Sequence, residues 1–215
     1  MIRPFLILCF VIFLDGCTNS TNQELKIVVP SDTTKSFRIG NCWLTPKPSF
    51  DFNSIRFANG DTLDLVTCSN YVYFPFGKID NKNELKGSLL KDFNTTSRTD
   101  SLDNGIFEFQ ILKINSSKLI LFFDNDPEST ISSYIIKGEI NEKNIRFVNN
   151  VTIGMSQNDF VNEFFDLFPN ELIDKYNVII LVSCVSGLKH VYTFKDNRLN
   201  SIRFECVECS WNLDY

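Results

Sequence analysis

Hydrophobic residues follow three successive patterns along this chain. Over residues 5–14 they form one uninterrupted run, and over 24–148 they alternate with polar residues in short segments. Over 160–168 they recur at positions i, i+1, i+4, i+5 and i+8, which is the spacing of one helix face. The pattern predicts a short apolar leader, a region of β-strands, and a helix that precedes further strands.

The leader has the layout of a secretory signal. Arg3 is the one charged residue before the apolar run, and the small residue Gly16 lies between that run and Cys17. The ten apolar residues are too few to cross a bilayer core, which takes a helix of roughly 20 residues. Residues 1–16 are therefore predicted to be a signal peptide cleaved before Cys17. Residues 17–23, which are polar after the cysteine, are predicted to be a flexible tether.

The cleavage region resembles the lipobox of bacterial lipoproteins. Leu14, Gly16 and Cys17 match that pattern, whereas Asp15 stands where Ala, Ser, Thr or Val is usual. The resemblance implies a diacylglycerol group on the Cys17 thiol, which would hold the mature chain at a membrane. Thr18 follows in place of Asp, and in the enterobacterial sorting pattern this implies the outer membrane. The alternative is an ordinary signal peptide with an incidental cysteine.

The region 24–148 is predicted to be an antiparallel β meander of about eight strands, either a barrel or a sandwich. Asn59-Gly60-Asp61 predicts the turn of one hairpin. Residues 78–104 are polar and predict a loop that holds one short helix. The predicted strands cover 24–29, 37–44, 53–57, 62–68, 71–76, 106–114, 119–123, 132–140 and 145–148.

The region 149–215 is predicted to be an ααβββ unit. Ser156 is a natural N-cap with Asp159 three residues later, and Pro169 is expected to break the first helix. A second short helix is expected over 172–176. Strands are expected over 178–185, 191–194 and 201–205. The fold class is thus α+β and mainly antiparallel β, with two units, 24–148 and 149–215.

Two family resemblances accompany this division. Ile153-Gly154-Met155-Ser156 before a helix, a proline and three strands resembles the BamE (SmpA/OmlA) lipoprotein domain, whose fold is shared with β-lactamase inhibitor protein. That family has a glycine before the proline, where this chain has Leu167-Phe168-Pro169. The resemblance implies the fold of this unit and does not identify any binding residue. By its strand count and Trp43, the region 24–148 resembles lipocalin-like domains.

Composition narrows the class of protein. The net charge is −5, which argues against a nucleic-acid partner, and 21 Phe favour buried strands over disorder. Of seven cysteines, Cys9 would leave with the predicted signal, and the lipobox resemblance implies that Cys17 is the lipid attachment site. Cys206 and Cys209 form a C-x-x-C that follows a predicted strand and opens no helix, so this pair is a candidate disulfide; buried structural thiols are the alternative.

Residues for catalysis are sparse. The single histidine, His190, lies beside a predicted turn and has no evident acid–base partner. The glycines form no phosphate-binding motif, and Asp124-Asn125-Asp126 lacks the Gly and Glu of a calcium loop. The sequence therefore predicts no enzyme, no cofactor and no metal. Thr33, Thr62 and Ser101 follow Asp in triplets that resemble the O-glycosylation sequon of secreted Bacteroidetes proteins; ordinary turn chemistry is the alternative.

The expected function is a lipid-anchored cell-envelope protein with a non-enzymatic binding or scaffolding role. Its expected partners are a membrane, through the anchor, and another envelope protein. The alternatives are a lipocalin-like carrier of a small apolar ligand, an immunity or inhibitor lipoprotein, and an enzyme whose dispersed carboxylates converge in a cleft.

Overall fold

The computed structural model describes residues 36–102, 105–124, 133–185, 187–207 and 209. The predicted signal peptide 1–16, the tether 17–23 and the strand predicted over 24–29 lie outside these residues. The described chain opens with a hairpin of β1 (Phe37–Ile39) and β2 (Cys42–Leu44). Gly40 turns the chain at φ +55°, which splits the single strand predicted over 37–44 in two.

Nine further strands form one sheet. They are β3 (Ile55–Asn59), β4 (Thr62–Thr67), β5 (Asn94–Leu102), β6 (Gly105–Ile114), β7 (Ser117–Phe123), β8 (Ser133–Ile140), β9 (Val178–Ser183), β10 (Leu188–Lys195) and β11 (Arg198–Cys206). Their spatial order is β3-β4-β9-β10-β11-β8-β7-β6-β5. Every neighbouring pair is antiparallel except β4 and β9, which run parallel. The fold is therefore mainly antiparallel β, in one open mixed sheet.

Two predictions relate to this topology. Among the described strands β3 and β5 are the two edges, so the sheet is open and the predicted barrel or sandwich is not confirmed. The strands of 24–148 and of 149–215 also share the sheet, because β9–β11 insert between the hairpin β3–β4 and the meander β5–β8. The predicted boundary at 148/149 is therefore not a boundary between two sheets.

The main core lies on one face of the sheet. Alternate residues such as Leu63 and Leu65 of β4 are fully buried on this face. The helix α1 (Gln157–Phe164) covers it, with the Phe160 ring centroid 4.5 Å from that of Tyr192 in β10. The 3-10 turns Asn70–Val72 and Lys82–Gly87 contribute Val72 and Leu85 to the same cluster. A small second cluster of Phe109, Ile120 and Ile136 is separate from this core.

The helix begins as predicted and ends earlier than predicted. Ser156 caps it, since its Oγ accepts a hydrogen bond from the Asp159 backbone N–H at 3.1 Å. The helix ends at Phe164, five residues before Pro169, because the backbone of Asp166 exchanges hydrogen bonds with Pro48 and Phe50. The second predicted helix is a single 3-10 turn, Asn170–Leu172, and Ile173 is already extended.

Three other segments differ from the pattern-based prediction. The aromatic segment 71–76 is a 3-10 turn followed by further turns, and 145–148 holds only an isolated bridge between Arg146 and Thr152. The polar segment predicted as loop and helix contains β5, an edge strand with largely exposed side chains. An edge strand that is exposed on both faces shows no hydrophobic alternation, so its pattern resembles that of a loop.

Candidate functional site

The residues predicted to carry modifications are placed only in part. Cys17 and Thr33 lie outside the described residues. Thr62 begins β4, where its Oγ1 donates a hydrogen bond to Asp61 Oδ1 at 3.1 Å, and Ser101 is exposed on β5. These positions leave the hydroxyl of Ser101 more accessible than that of Thr62, which is partly buried.

Four cysteines form two disulfides. Cys206 and Cys209 are joined, as the C-x-x-C spacing predicted, with their Cα atoms 5.3 Å apart. A second disulfide, which the sequence did not predict, joins Cys68 to Cys184 with a Cα–Cα distance of 5.2 Å. Within the described chain Cys42 is the free thiol.

The Cys68–Cys184 pair follows from the parallel pairing of β4 and β9. Thr67 and Ser183 are the last paired residues of the two strands, and the Cys184 backbone N–H donates to the Thr67 carbonyl at 3.1 Å. The next residues along both strands are the two cysteines, which therefore lie side by side. The available sequence signal was that Cys68 is the last residue of one predicted strand and Cys184 the next-to-last residue of another, but this did not show that the two strands are neighbours.

His190 is a packing residue. It lies in β10 and is 3% exposed, with its ring centroid 4.7 Å from that of Phe204. Its Nδ1 lies 3.0 Å from the Tyr192 hydroxyl oxygen, within hydrogen-bond distance. Burial lowers the pKa of His190 to about 3, so the imidazole is neutral at physiological pH. The side chain faces the core, so its imidazole has no access to a substrate in solvent.

A groove of about 360 Å³ beside β1 has the chemistry of a binding site. We name it the apolar cleft; its lining residues are Phe37, Asn70, Tyr71, Phe74, Gly77, Lys78 and Val148. Three of the seven lining residues are aromatic, and Val148 among them is 45% exposed. A concave apolar surface with a few polar groups is typical of sites that hold small molecules or apolar side chains.

Local hydrogen bonds position the aromatic wall of the apolar cleft. Buried Ser69 caps the turn Asn70–Val72, accepting from the Tyr71 N–H at 3.4 Å while its hydroxyl donates to the Pro46 carbonyl at 2.9 Å. Phe74 packs on Phe37 with ring centroids 5.4 Å apart. Gly77 ends the segment at φ +84°, a conformation that favours glycine. The rings are thus held by backbone structure before any ligand arrives.

Lys78 is the charged residue among those that line the apolar cleft. Its Nζ pairs with Asp80 at 3.2 Å. Burial raises the pKa of Tyr71, and the nearby carboxylate of Glu163 raises it further. The phenol therefore stays protonated and can donate a hydrogen bond. The arrangement suits an apolar group with one polar or anionic end.

Two other clefts are polar. One, of about 490 Å³, contains Lys82, Glu108 and Gln110. Glu108 accepts hydrogen bonds from Lys82 Nζ at 3.1 Å and from Gln110 Nε2 at 3.0 Å, and the bond from Lys82 is the largest cause of its lowered pKa.

The other polar cleft, of about 460 Å³, contains Arg56, Asp64 and Lys189. Asp64 Oδ1 is buried there without a hydrogen-bond donor among the described residues. Both polar clefts contain positive and negative side chains, so neither presents a region of one charge that would bind a cation or an anion.

The described chain has neither a metal site nor a membrane-spanning helix. Its His, Cys, Asp and Glu side chains form no group of three or more with the arrangement of a metal site. Its helices are too short or too polar to cross a bilayer.

Comparison of the whole chain with models of protein families, with curated proteins and with solved structures found no match.

Proposed function

We propose that this chain is an exported, lipid-anchored protein of the cell envelope, which binds a partner through the apolar cleft and has no catalytic role. The lipobox-like segment ending at Cys17 is the basis for export and anchoring. The proposed location is the outer membrane, because Thr18 follows the cysteine. The BamE-like character of 149–215 remains a hypothesis within this proposal.

The observation that carries the proposal is the Cys68–Cys184 disulfide. It joins strands that are separated by 116 residues in sequence, within a sheet that both strands help to build. Structural disulfides persist in oxidising compartments and are rare in the cytosol. The pairing therefore supports export independently of the leader sequence.

The apolar cleft supports a binding role for the anchored body. Phe37, in the first described strand, lines it, so the cleft adjoins the point where residues 17–35 join the described chain. Fully extended, those 19 residues would reach at most about 65 Å. A partner bound in the cleft would thus be held near the membrane surface.

Metabolic labelling with palmitate tests the anchor. Wild type and Cys42→Ser, the matched control that removes the free thiol of the described chain, should both incorporate label and fractionate with membranes. Cys17→Ser should incorporate none and should be recovered in the aqueous fraction. Labelled Cys17→Ser, or unlabelled wild type, would refute the proposal.

A carrier of a small apolar ligand is the second candidate function, and the apolar cleft favours it. Every residue that lines the cleft belongs to 24–148, the region predicted to hold such a ligand. The fluorescent probe N-phenyl-1-naphthylamine should bind with a 1:1 stoichiometry. Val148→Asp should weaken its binding by at least about tenfold, because a carboxylate would then need to be desolvated. Val207→Asp, at an exposed valine outside the cleft, is the matched control.

An immunity or inhibitor role would be distinguished by capture from detergent-solubilised membranes. One tight protein partner that is lost with Val148→Asp and kept with Val207→Asp would favour scaffolding or inhibition. Recovery of a small apolar molecule without a protein would favour the carrier.

A further inference from the structure

The two edges of the sheet differ in how they are protected against pairing with another strand. β3 has five residues, and its register with β4 shifts between Ile55 and Phe57, which is a bulge. β5 has nine residues and pairs with β6 without a shift over its whole length, from Asn94 to Leu102. It contains no proline and no lysine. Natural sheets commonly use short strands, bulges, proline and lysine to block edge pairing, and β5 has none of these.

The free edge of β5 presents the backbone groups of alternate residues. Leu102 and Gly105 are paired and are separated by two residues in sequence, so they exchange the closing hydrogen bonds of the hairpin. Alternation along the strand then directs the N–H and C=O of the even-numbered residues toward β6. The backbone groups of Thr95, Ser97, Thr99 and Ser101 point to the free edge.

The side chains of β5 are self-complementary about Thr99. Arg98 and Asp100 project from the same face of the strand, one residue on either side of Thr99, opposite Phe109 and Phe107 of β6. In an antiparallel pair of two β5 strands centred on Thr99, Arg98 of each copy lies opposite Asp100 of the other. The same register places Ser97 opposite Ser101 and brings together residues whose backbone groups all point to the free edge.

Other centres of symmetry fit less well. A centre on an even-numbered residue would oppose backbone groups that are already bonded to β6. A centre on Ser97 would place Arg98 opposite Thr96, and Asp100 opposite Asn94. Only the centre on Thr99 pairs residues whose backbone groups point to the free edge and also places Arg98 opposite Asp100.

Arg98 and Asp100 also form an ion pair within one strand, because Arg98 Nε donates to Asp100 Oδ1 at 3.1 Å. Asp100 Oδ2 is buried in the single copy, so it is not the atom that a second copy would contact. The contact between copies is therefore one of opposite charges facing each other across the two strands.

We propose that β5 is a homodimerisation edge, at which two copies pair antiparallel about Thr99 and join their nine-stranded sheets into one. The pairing forms about six backbone hydrogen bonds and two Arg98–Asp100 contacts between copies. The interface is small, so the dimer in solution is weak, with a dissociation constant of roughly micromolar or above. The inference does not depend on the lipid anchor.

Sedimentation velocity on the mature chain 17–215 with Cys17→Ser tests the proposal from about 1 µM to about 500 µM. The wild-type surface should show a monomer–dimer equilibrium. Arg98→Asp and Asp100→Arg should each weaken association at least about tenfold, because each places like charges opposite one another. The double variant should restore it, since the swapped charges are again complementary. Arg56→Asp, on the opposite edge strand β3, is the matched control and should leave association unchanged.

Thr99→Pro is a second variant that separates dimerisation from folding. It removes an N–H that points to the free edge and leaves the bonds to β6 intact, so it should abolish the dimer while preserving the circular dichroism spectrum. A dimer that is insensitive to both charge reversals would overturn the proposal.

A chain that stays monomeric throughout the concentration range would also overturn the proposal. Hydrogen exchange then identifies the reason. Slow exchange of the Ser97, Thr99 and Ser101 amides in the monomer would mean that another segment of the same chain covers the edge, and fast exchange would mean that nothing does.

Discussion

Removal of the Cys68–Cys184 disulfide should be the most destabilising change to a cross-link in this protein. The bond closes a loop with a sequence separation of 116, which contains β5–β8 and α1. In the chain-entropy model, opening a loop of that length costs about 5 kcal/mol of stability, because the reduced unfolded chain regains the freedom that the cross-link removed. Domains of this kind have a total stability of about 5–15 kcal/mol. The loss is therefore a third or more of the whole.

The second disulfide provides a matched control. Cys206 and Cys209 are only three residues apart, and the same relation gives under about 2 kcal/mol for that loop. The assay is urea unfolding, monitored by tryptophan fluorescence and circular dichroism, of the wild type and of the double serine variants of each pair. The Cys68→Ser/Cys184→Ser protein should lose about 3 kcal/mol more than the Cys206→Ser/Cys209→Ser protein. It should also show a larger m-value, because its unfolded state is more expanded.

Equal losses for the two double variants would refute the reasoning. That result would mean that the unfolded chain keeps β4 and β9 together without the bond, so that loop length has no influence on stability. The same measurement under reducing conditions checks the cysteine variants. Reduced wild type should match a quadruple variant in which Cys68, Cys184, Cys206 and Cys209 are all replaced by serine, because both proteins lack both bonds.

Three further predictions concern single residues. The pKa of His190 is about 3 in the folded chain and about 6.5 when unfolded, so the unfolded state binds the extra proton. The unfolding free energy should therefore fall by about 1.4 kcal/mol per pH unit as the pH drops from 6.5 toward 3. His190→Gln should flatten that slope in urea titrations at pH 7, 5 and 4, and an unchanged slope would contradict the assignment. Gly138→Ala should cost about 1–3 kcal/mol in thermal unfolding, because its Cβ would lie 2.6 Å from Leu119 Cδ2 and 2.7 Å from the Lys118 carbonyl oxygen. Gly87→Ala has open space and should be neutral; equal effects at both glycines would show that β7 and β8 separate easily. Ser156→Ala should cost about 1 kcal/mol, since it removes the helix N-cap, and a Ser156→Asp variant that fails to retain most of the stability would count against capping as the cause.

Local chemistry determined much of the secondary structure. The alternation in β4 and β6, the helical spacing of Phe160 and Phe164 and the cap at Ser156 all indicated the correct element type. The Cys206–Cys209 pair was identifiable because its two residues are close in sequence. Each of these signals depends on residues within a few positions of one another, which is the range over which backbone geometry relates pattern to structure.

The apolar cleft could not be predicted in the same way. Its aromatic residues Tyr71 and Phe74 were assigned to a strand, because a run that is apolar on both faces looks the same in a buried strand as in a turn packed on several sides. The cleft forms because Phe37 and Val148, distant in sequence, flank that turn.

The order of the strands was decided only by tertiary structure. Hydrophobic alternation tells which face of a strand is buried but not which strand lies beside it, and β4 and β9 pair across more than a hundred residues. That one parallel pairing joins strands of 24–148 and 149–215 in one sheet and places Cys68 beside Cys184. In this sheet β5 is an edge strand. By itself the sequence determined the capped helix and most strands, because these depend on local periodicity and turn chemistry. The tertiary structure decided the single sheet, the long-range disulfide and the free edge, because these depend on which buried faces pack together over the whole chain.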